Sequence, residues 1–147
     1  MDNQKALELL HLTRVEVAPE TFFLLSLSHK DLVELFQNPE LSPRLTAPFM
    51  IFQDKYEVTL LFDETDFSTI RHTVRDAKIE SGFRLLTFDI ELEFSVVGFL
   101  ALISKILSEA EIPIVALSAF SRDHLIIKQD NLAKALKVLG AYVKELC

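Results

Sequence analysis

Two short segments of the chain carry residue types that could hold a zwitterion. Residues 95–98 read Ser-Val-Val-Gly at the expected start of a helix, and residues 118–124 read Ser-Ala-Phe-Ser-Arg-Asp-His at the expected tip of a hairpin. The first amides of a helix have no acceptor within the helix and carry partial positive charge, which suits a carboxylate. Asp123 could balance an α-amino group. We therefore expect Gly98 and Asp123 to line one crevice, although close packing at Gly98 and a tight turn at Asp123 would also explain these residues.

A second group of chemically capable residues is the acidic cluster at the end of a predicted strand. Asp63, Glu64 and Asp66 could bind a cation or supply general acid–base chemistry if a pocket raised one pKa. A solvated loop that caps a helix is the more common outcome of such a cluster. An enzyme would work through Asp63, Asp66 or His72, but no nucleophile–base pair is visible in the sequence. We therefore predict no catalytic residues.

Metal and cofactor sites have no support in the residue spacing. The four histidines are His11, His29, His72 and His124, and they lack zinc-type spacing with one another or with Cys147. No glycine-rich phosphate loop is present among the three glycines. The sequence predicts neither a metal nor a cofactor.

Composition narrows the class of partner. The net charge of -7 opposes binding to phosphate backbones, so nucleic acid is not an expected partner. No stretch approaches the roughly 20 apolar residues that a membrane-spanning helix needs, so a membrane is not expected either. The single cysteine, Cys147, excludes an internal disulfide and is typical of a reducing compartment. We predict a cytoplasmic protein with a substantial core, because half of its residues are hydrophobic.

The elements that must position the candidate site follow from hydrophobic periodicity and capping signals. Helices are expected at about 29–37, 67–77, 97–110 and 131–143, and strands at about 7–17, 21–27, 49–52, 57–63, 87–94, 112–120 and 124–128. Ser28, Ser95 and Asp130 are the expected N-caps, and Gly82 is the expected end of the second helix. The apolar run 112–120 predicts a central strand covered on both faces.

From residue 21 the predicted order resembles two overlapping βαββαβ patterns, the ferredoxin-like arrangement with helices on one face of an antiparallel sheet. The fold class is therefore α+β with two interdigitated modules, 1–66 and 67–147. The second pattern lacks its last strand, because the predicted chain ends with a helix. We expect an N-terminal strand, 7–17 or 57–63, to complete the C-terminal sheet by strand exchange.

The C-terminal sequence FSVVGFLALISKILSEAEIPIVALSAFSRDHLIIKQDNLAKAL resembles the ACT-domain signature. The similar features are the F-S-x-x-G helix start, the apolar helix ending in EAEIPI, the strand closing on S-x-F, and the Asp at the hairpin. The resemblance is to one branch of the family in particular, which contains tandem-ACT bacterial proteins and the eukaryotic cytosolic arginine sensors. The upstream YEVTLLFDETDF resembles the middle strand of that branch. The resemblance covers about residues 9–139.

This resemblance implies a regulatory protein that binds an amino acid at an interface between ACT modules, often across a homodimer. Carried over by motif, the ligand-contacting helix start falls on Val97 and Gly98, and the strand end and hairpin fall on residues 118–120 and Asp123. Together with Ser95, the candidate ligand-binding residues are Ser95, Val97, Gly98, Ser118, Ala119, Phe120 and Asp123.

Two departures bear on ligand identity. Val96 stands where arginine-sensing relatives have an acidic residue, and Ala119 stands where Thr is usual, which favours a small apolar amino acid or no ligand at all. The leading hypothesis is an amino-acid sensor without catalysis whose output passes through a regulated partner protein. The alternative is a ligand-free ACT-like adaptor that mediates dimerisation or partner docking.

Overall fold

The computed structural model describes residues 3–147, which form two compact units. The helices are α1 (Asn3–His11), α2 (His29–Gln37), α3 (Glu64–Ile70), α4 (Phe99–Glu109) and α5 (Leu132–Gly140). The strands are β1 (Arg14–Val17), β2 (Phe22–Leu27), β3 (Met50–Gln53), β4 (Val58–Asp63), β5 (Lys78–Asp89), β6 (Val115–Ser118), β7 (Asp123–Lys128) and β8 (Glu145–Leu146). Short 3-10 helices occur at Pro39–Leu41 and Gln129–Asn131. The architecture is α+β, as predicted.

Residues 20–83 form the central unit. Its elements follow the order β2, α2, β3, β4, α3 and the first half of β5, which is a complete βαββαβ pattern. Strand pairing in the order β3-β4-β2-β5 is antiparallel throughout. Alternate strand residues such as Leu60 and Phe62 share one core with Leu32, Leu35 and Ile70 of the two helices. Both helices therefore pack on the same face of this part of the sheet.

The capping signal at Ser28 is confirmed, because its hydroxyl accepts a hydrogen bond from the Asp31 amide at 3.2 Å. The predicted second helix is corrected at both ends. Asp63 caps α3 through the Asp66 amide, so the helix begins at Glu64, and it ends at Ile70 instead of extending to residue 77. Gly82 ends no helix. It lies in β5 with φ 77°, where the register against β2 shifts as at a β-bulge.

Residues 3–19 and 84–147 form the second compact unit, which we call the split unit. Its strands are ordered β6-β7-β5-β1-β8. Strand β1 pairs antiparallel with the second half of β5, with Val15 opposite Phe88, so an N-terminal strand does contribute to this sheet. The strand is shorter than the predicted 7–17, because residues up to His11 form α1.

The end of the split unit corrects two further expectations. A last strand, β8, follows α5 and pairs with β1 in parallel, so the sheet is mixed and not wholly antiparallel. The Cys147 amide donates to the Val15 carbonyl at 2.7 Å and continues this pairing. Helix α5 begins after Asn131 without a side-chain cap, so Asp130 does not cap it as predicted.

The core of the split unit holds α4 and α5 against the sheet. Leu86 and Phe88 of β5 lie in one buried cluster with Leu125, Ile103 and Leu139. The predicted central strand 112–120 is only β6, which pairs with β7 alone among the described strands and alternates between half-buried and exposed residues. It is an edge strand. No helix within residues 3–147 has the length and apolar content to cross a membrane.

Candidate ligand-binding site

A crevice of about 350 Å³ lies in the split unit between the start of α4 and the β6–β7 hairpin. Five of the predicted ligand-binding residues line it: Gly98, Ser118, Ala119, Phe120 and Asp123. The remaining two, Ser95 and Val97, are not among its lining residues, and Val97 is exposed with 65% of its surface accessible. The structure therefore brings Gly98 and Asp123 to one crevice.

The helix wall of the crevice begins at Gly98, which is the N-cap of α4. Its φ of 89° and ψ of 0° lie in the left-handed region, which glycine adopts without steric cost. The expected cap at Ser95 is wrong, because no side chain caps this helix. The Leu102 amide bonds to the Gly98 carbonyl, so the helical ladder begins there. The amides of Phe99, Leu100 and Ala101 in the first turn lack intrahelical acceptors by geometry and can bind an anion.

The opposite wall is the end of the hairpin. Ser118 and Asp123 form the last pair of the β6–β7 ladder, and the Ser118 hydroxyl donates to Asp123 Oδ1 at 2.8 Å. The Ala119 amide donates to the Arg122 carbonyl at 2.9 Å and closes the turn. A carboxylate held in this way is oriented before any ligand arrives.

The third wall is the connection of residues 90–98 between β5 and α4. The sequence predicted a strand through residue 94, but β5 ends at Asp89, where the Ile90 amide turns back to the Phe88 carbonyl at 2.9 Å. The Leu92 amide then donates to the Ser121 carbonyl at 2.8 Å and ties the connection to the hairpin. Glu91 and Glu93 therefore belong to this connection and not to a solvated sheet face.

An ion pair fixes the hairpin to the end of β5. Arg122 Nε donates to Asp89 Oδ1 at 2.9 Å, and Arg122 Nη2 lies 3.7 Å from Glu91 Oε1. The hydrogen bond from Arg122 lowers the pKa of the Asp89 carboxyl, and the same bond raises the pKa of Arg122. Sequence reasoning missed this role, although a lone arginine in a hairpin opposite an acidic strand end was a readable signal.

Two phenylalanines form the rim of the crevice. The rings of Phe94 and Phe120 meet edge to face with centroids 5.0 Å apart, yet 80% and 81% of their surfaces are exposed. Phe120 was predicted and Phe94 was not. Large exposed aromatic side chains beside a concave site commonly supply contact area for a ligand or a partner.

Residues 78–141 match the family model of the ACT domain. This ACT segment contains β5, the connection 90–98, α4 and the β6–β7 hairpin, and so every wall of the crevice. No curated protein matches the chain in sequence.

Solved structures share the fold over nearly the whole chain. Protein Atu0741 from Agrobacterium tumefaciens superposes with a TM-score of 0.68 at 16% identity, covering 92% of each chain. A Vibrio cholerae protein of unknown function, VC0802, gives 0.68 at 19% identity, covering 95% of this chain and 97% of the other. The ligand-free regulatory subunit of aspartate kinase from Thermus thermophilus gives 0.65 at 11% identity, covering 90% and 98%. These likenesses show that the chain shares its overall fold with the three proteins.

Arg44 forms ion pairs with the acidic cluster, which lies outside the ACT segment. Arg44 Nη2 contacts Asp63 Oδ2, and Arg44 Nε donates to Asp66 Oδ1 at 2.9 Å. The two aspartates are buried, with 4% and 3% of their side chains exposed. These carboxylates therefore form a charge-assisted structural pair with Arg44.

The remaining titratable residues form no metal-binding group among residues 3–147. No group of three or more His, Cys, Asp or Glu in that range could hold a metal ion. His124 Nδ1 lies 2.9 Å from the Thr87 hydroxyl, and burial lowers its pKa.

Proposed function

We propose that this chain is a regulatory sensor of the ACT type, which binds an α-amino acid in the crevice between Gly98 and Asp123 and catalyses no reaction. The single observation that supports it most is that the uncapped helix start and the oriented carboxylate line one concave surface. The ACT segment contains that surface. A helix start that favours an anion and a carboxylate that favours a cation match the two charged ends of an amino acid.

In this proposal the ligand carboxylate binds the first amides of α4, where the helix dipole favours an anion. The ligand ammonium binds Asp123, whose second oxygen remains for it once Ser118 has engaged Oδ1. The side chain then lies against Phe94, Val96 and Phe120, which are apolar. Because no acidic residue stands at position 96, we favour an uncharged side chain.

Regulation would follow from differential affinity. The crevice is open on one side, and the exposed Phe94 and Phe120 stand at its rim. We propose that a second ACT module covers this side in a cytoplasmic homodimer of the tandem-ACT type, so that the amino acid lies at an interface. A ligand that binds the covered arrangement more tightly shifts the population toward it. A regulated partner protein would respond to that shift in population.

The test is a thermal-shift screen with each of the twenty standard L-amino acids. An amino acid present at 100 times its Kd should stabilise the folded chain by about 2.7 kcal/mol, a clear rise in Tm. At the same ligand concentration the rise should fall to about half or less in Asp123→Asn and persist in full in Asp130→Asn, an exposed carboxylate outside the crevice. If no amino acid changes the Tm, the proposal is wrong.

A second candidate function is a ligand-free adaptor. The exposed rim of Phe94 and Phe120 and the edge strand β6 favour it, because unpaired edges and apolar patches serve protein contacts. Light scattering after size-exclusion chromatography distinguishes the two. The adaptor predicts a dimer in buffer without amino acids, and a strict monomer that binds an amino acid would exclude it.

A further inference from the structure

The central unit contains a helix start and a hairpin that correspond to two of the three walls of the crevice. Its βαββαβ pattern places α2 after the first strand and the β3–β4 hairpin after that helix. In the split unit α4 and the β6–β7 hairpin have the same places in the order. The chain thus has two helix starts and two hairpins that could, by topology alone, form two ligand sites.

The connections that lead into the two helices differ. In the split unit the nine residues 90–98 separate β5 from α4, and they supply the wall with Leu92, Phe94 and Val96. In the central unit Ser28 alone separates β2 from α2. A connection of one residue is too short to build a third wall.

The helix start in the central unit is also satisfied by its own residues. The Ser28 hydroxyl accepts from the Asp31 amide, whereas Gly98 has no side chain to cap α4. His29 Nδ1 lies 2.7 Å from Gln53 Oε1, so the first residue of α2 is bonded directly to the end of β3. An incoming carboxylate would have to displace these contacts.

The hairpin carboxylate in the central unit is used within its own turn. Asp54 Oδ1 accepts from the amides of Tyr56 and Glu57 at 2.7 and 2.8 Å. These backbone hydrogen bonds lower the pKa of Asp54. Asp123, by contrast, accepts a hydrogen bond from the Ser118 hydroxyl and lies on the crevice wall.

We infer that the chain binds one amino acid, in the split unit, and that the central unit is an ACT-like module whose equivalent position is closed by Ser28, the His29–Gln53 contact and the short β2–α2 connection. This inference rests on the proposed function and specifies its stoichiometry and location. One ligand per chain means that the two modules have different tasks. The central unit then contributes fold and surface, and the split unit contributes recognition.

The experiment uses the full chain and the one of the twenty L-amino acids that raises its Tm most. Titration calorimetry should give one site per chain. Hydrogen–deuterium exchange should show ligand protection at residues 99–102 and 118–123 and none at 29–32 or 53–57. Asp123→Asn should weaken binding at least tenfold, whereas Asp54→Asn, which can keep the turn acceptor, should leave Kd within about twofold.

Each outcome decides between the claims. Two sites per chain, or protection at 29–32, would overturn this inference and leave the sensor function standing. Binding that survives Asp123→Asn and fails in Asp54→Asn would place the site in the central unit and overturn it equally. Absence of heat and of protection with all twenty amino acids would remove the sensor function, and this inference with it.

Discussion

Ser118 Oγ donates a hydrogen bond to Asp123 Oδ1 at 2.8 Å across the last pair of the β6–β7 hairpin. This contact orients the Asp123 carboxylate on one wall of the crevice, and Gly98 lies on the opposite wall. A preoriented charged group loses little side-chain entropy when a ligand arrives. The predictions below test this arrangement and the interactions that hold it.

Asp123→Asn should weaken amino-acid binding with little effect on the fold. Asparagine can still accept from Ser118 but lacks the charge for an ammonium, and a hydrogen bond to a charged group is worth about 1.5–3 kcal/mol. Calorimetric Kd should therefore rise by a factor of about 10 to 150. The Tm without ligand should stay close to that of the unmodified chain. A large drop in that Tm would show that Asp123 is structural instead.

Gly98→Ala should destabilise the chain and weaken binding. A side chain at φ 89° is strained by roughly 1–2 kcal/mol, because Cβ crowds the backbone. Gly82→Ala is a matched control, since its φ is 77° and an added Cβ would meet no atom within 4 Å. Both variants should lower the urea midpoint, but only Gly98→Ala should change Kd. Equal losses of affinity would contradict the assignment of Gly98 to the crevice.

His124 should make stability depend on pH. Burial lowers its folded-state pKa, so below about pH 6.5 the unfolded chain takes up a proton that the folded chain resists. Stability is therefore lost as the pH falls below that value. His124→Gln should reduce the difference between urea midpoints at pH 7.5 and 5.5. Thr87→Val removes the hydroxyl partner but not the titratable group, so it should retain the difference.

Arg44→Met should destabilise the central unit. Removal of one partner from a buried ion pair costs roughly 3–5 kcal/mol, and since 45% of the Arg44 side chain is exposed, we expect about 2 kcal/mol. Chemical denaturation measures this loss. Arg71→Met, at an exposed arginine after α3, should stay within about 0.5 kcal/mol. Amino-acid affinity should be unchanged in both variants, and a loss in Arg44→Met would connect the acidic cluster with ligand binding.

Local signals predicted much of the fold and the candidate site. The Ser28 cap and the start of α2 followed from residues close in sequence, and the coordinates agree with them. The common crevice of Gly98 and Asp123 was expected from the order of helices and strands, and both residues line it. The alternation in residues 87–94 predicted a strand through residue 94, which is wrong. The amides of Ile90 and Leu92 donate to the carbonyls of Phe88 and Ser121 and not to a neighbouring strand. Apolar alternation reports burial and cannot by itself identify the backbone partner.

By itself the sequence determined the order of helices and strands from residue 21 to α5 and the residue types at the helix start and hairpin, because caps, turns and periodicity act over a few neighbouring positions. Only the tertiary structure decided that β1 pairs with β5, that Arg122 bonds to Asp89, and that residues 90–98 become a wall of the crevice. Each of those outcomes depends on hydrogen-bond partners far apart in the chain, and their choice requires the whole sheet and core to be in place.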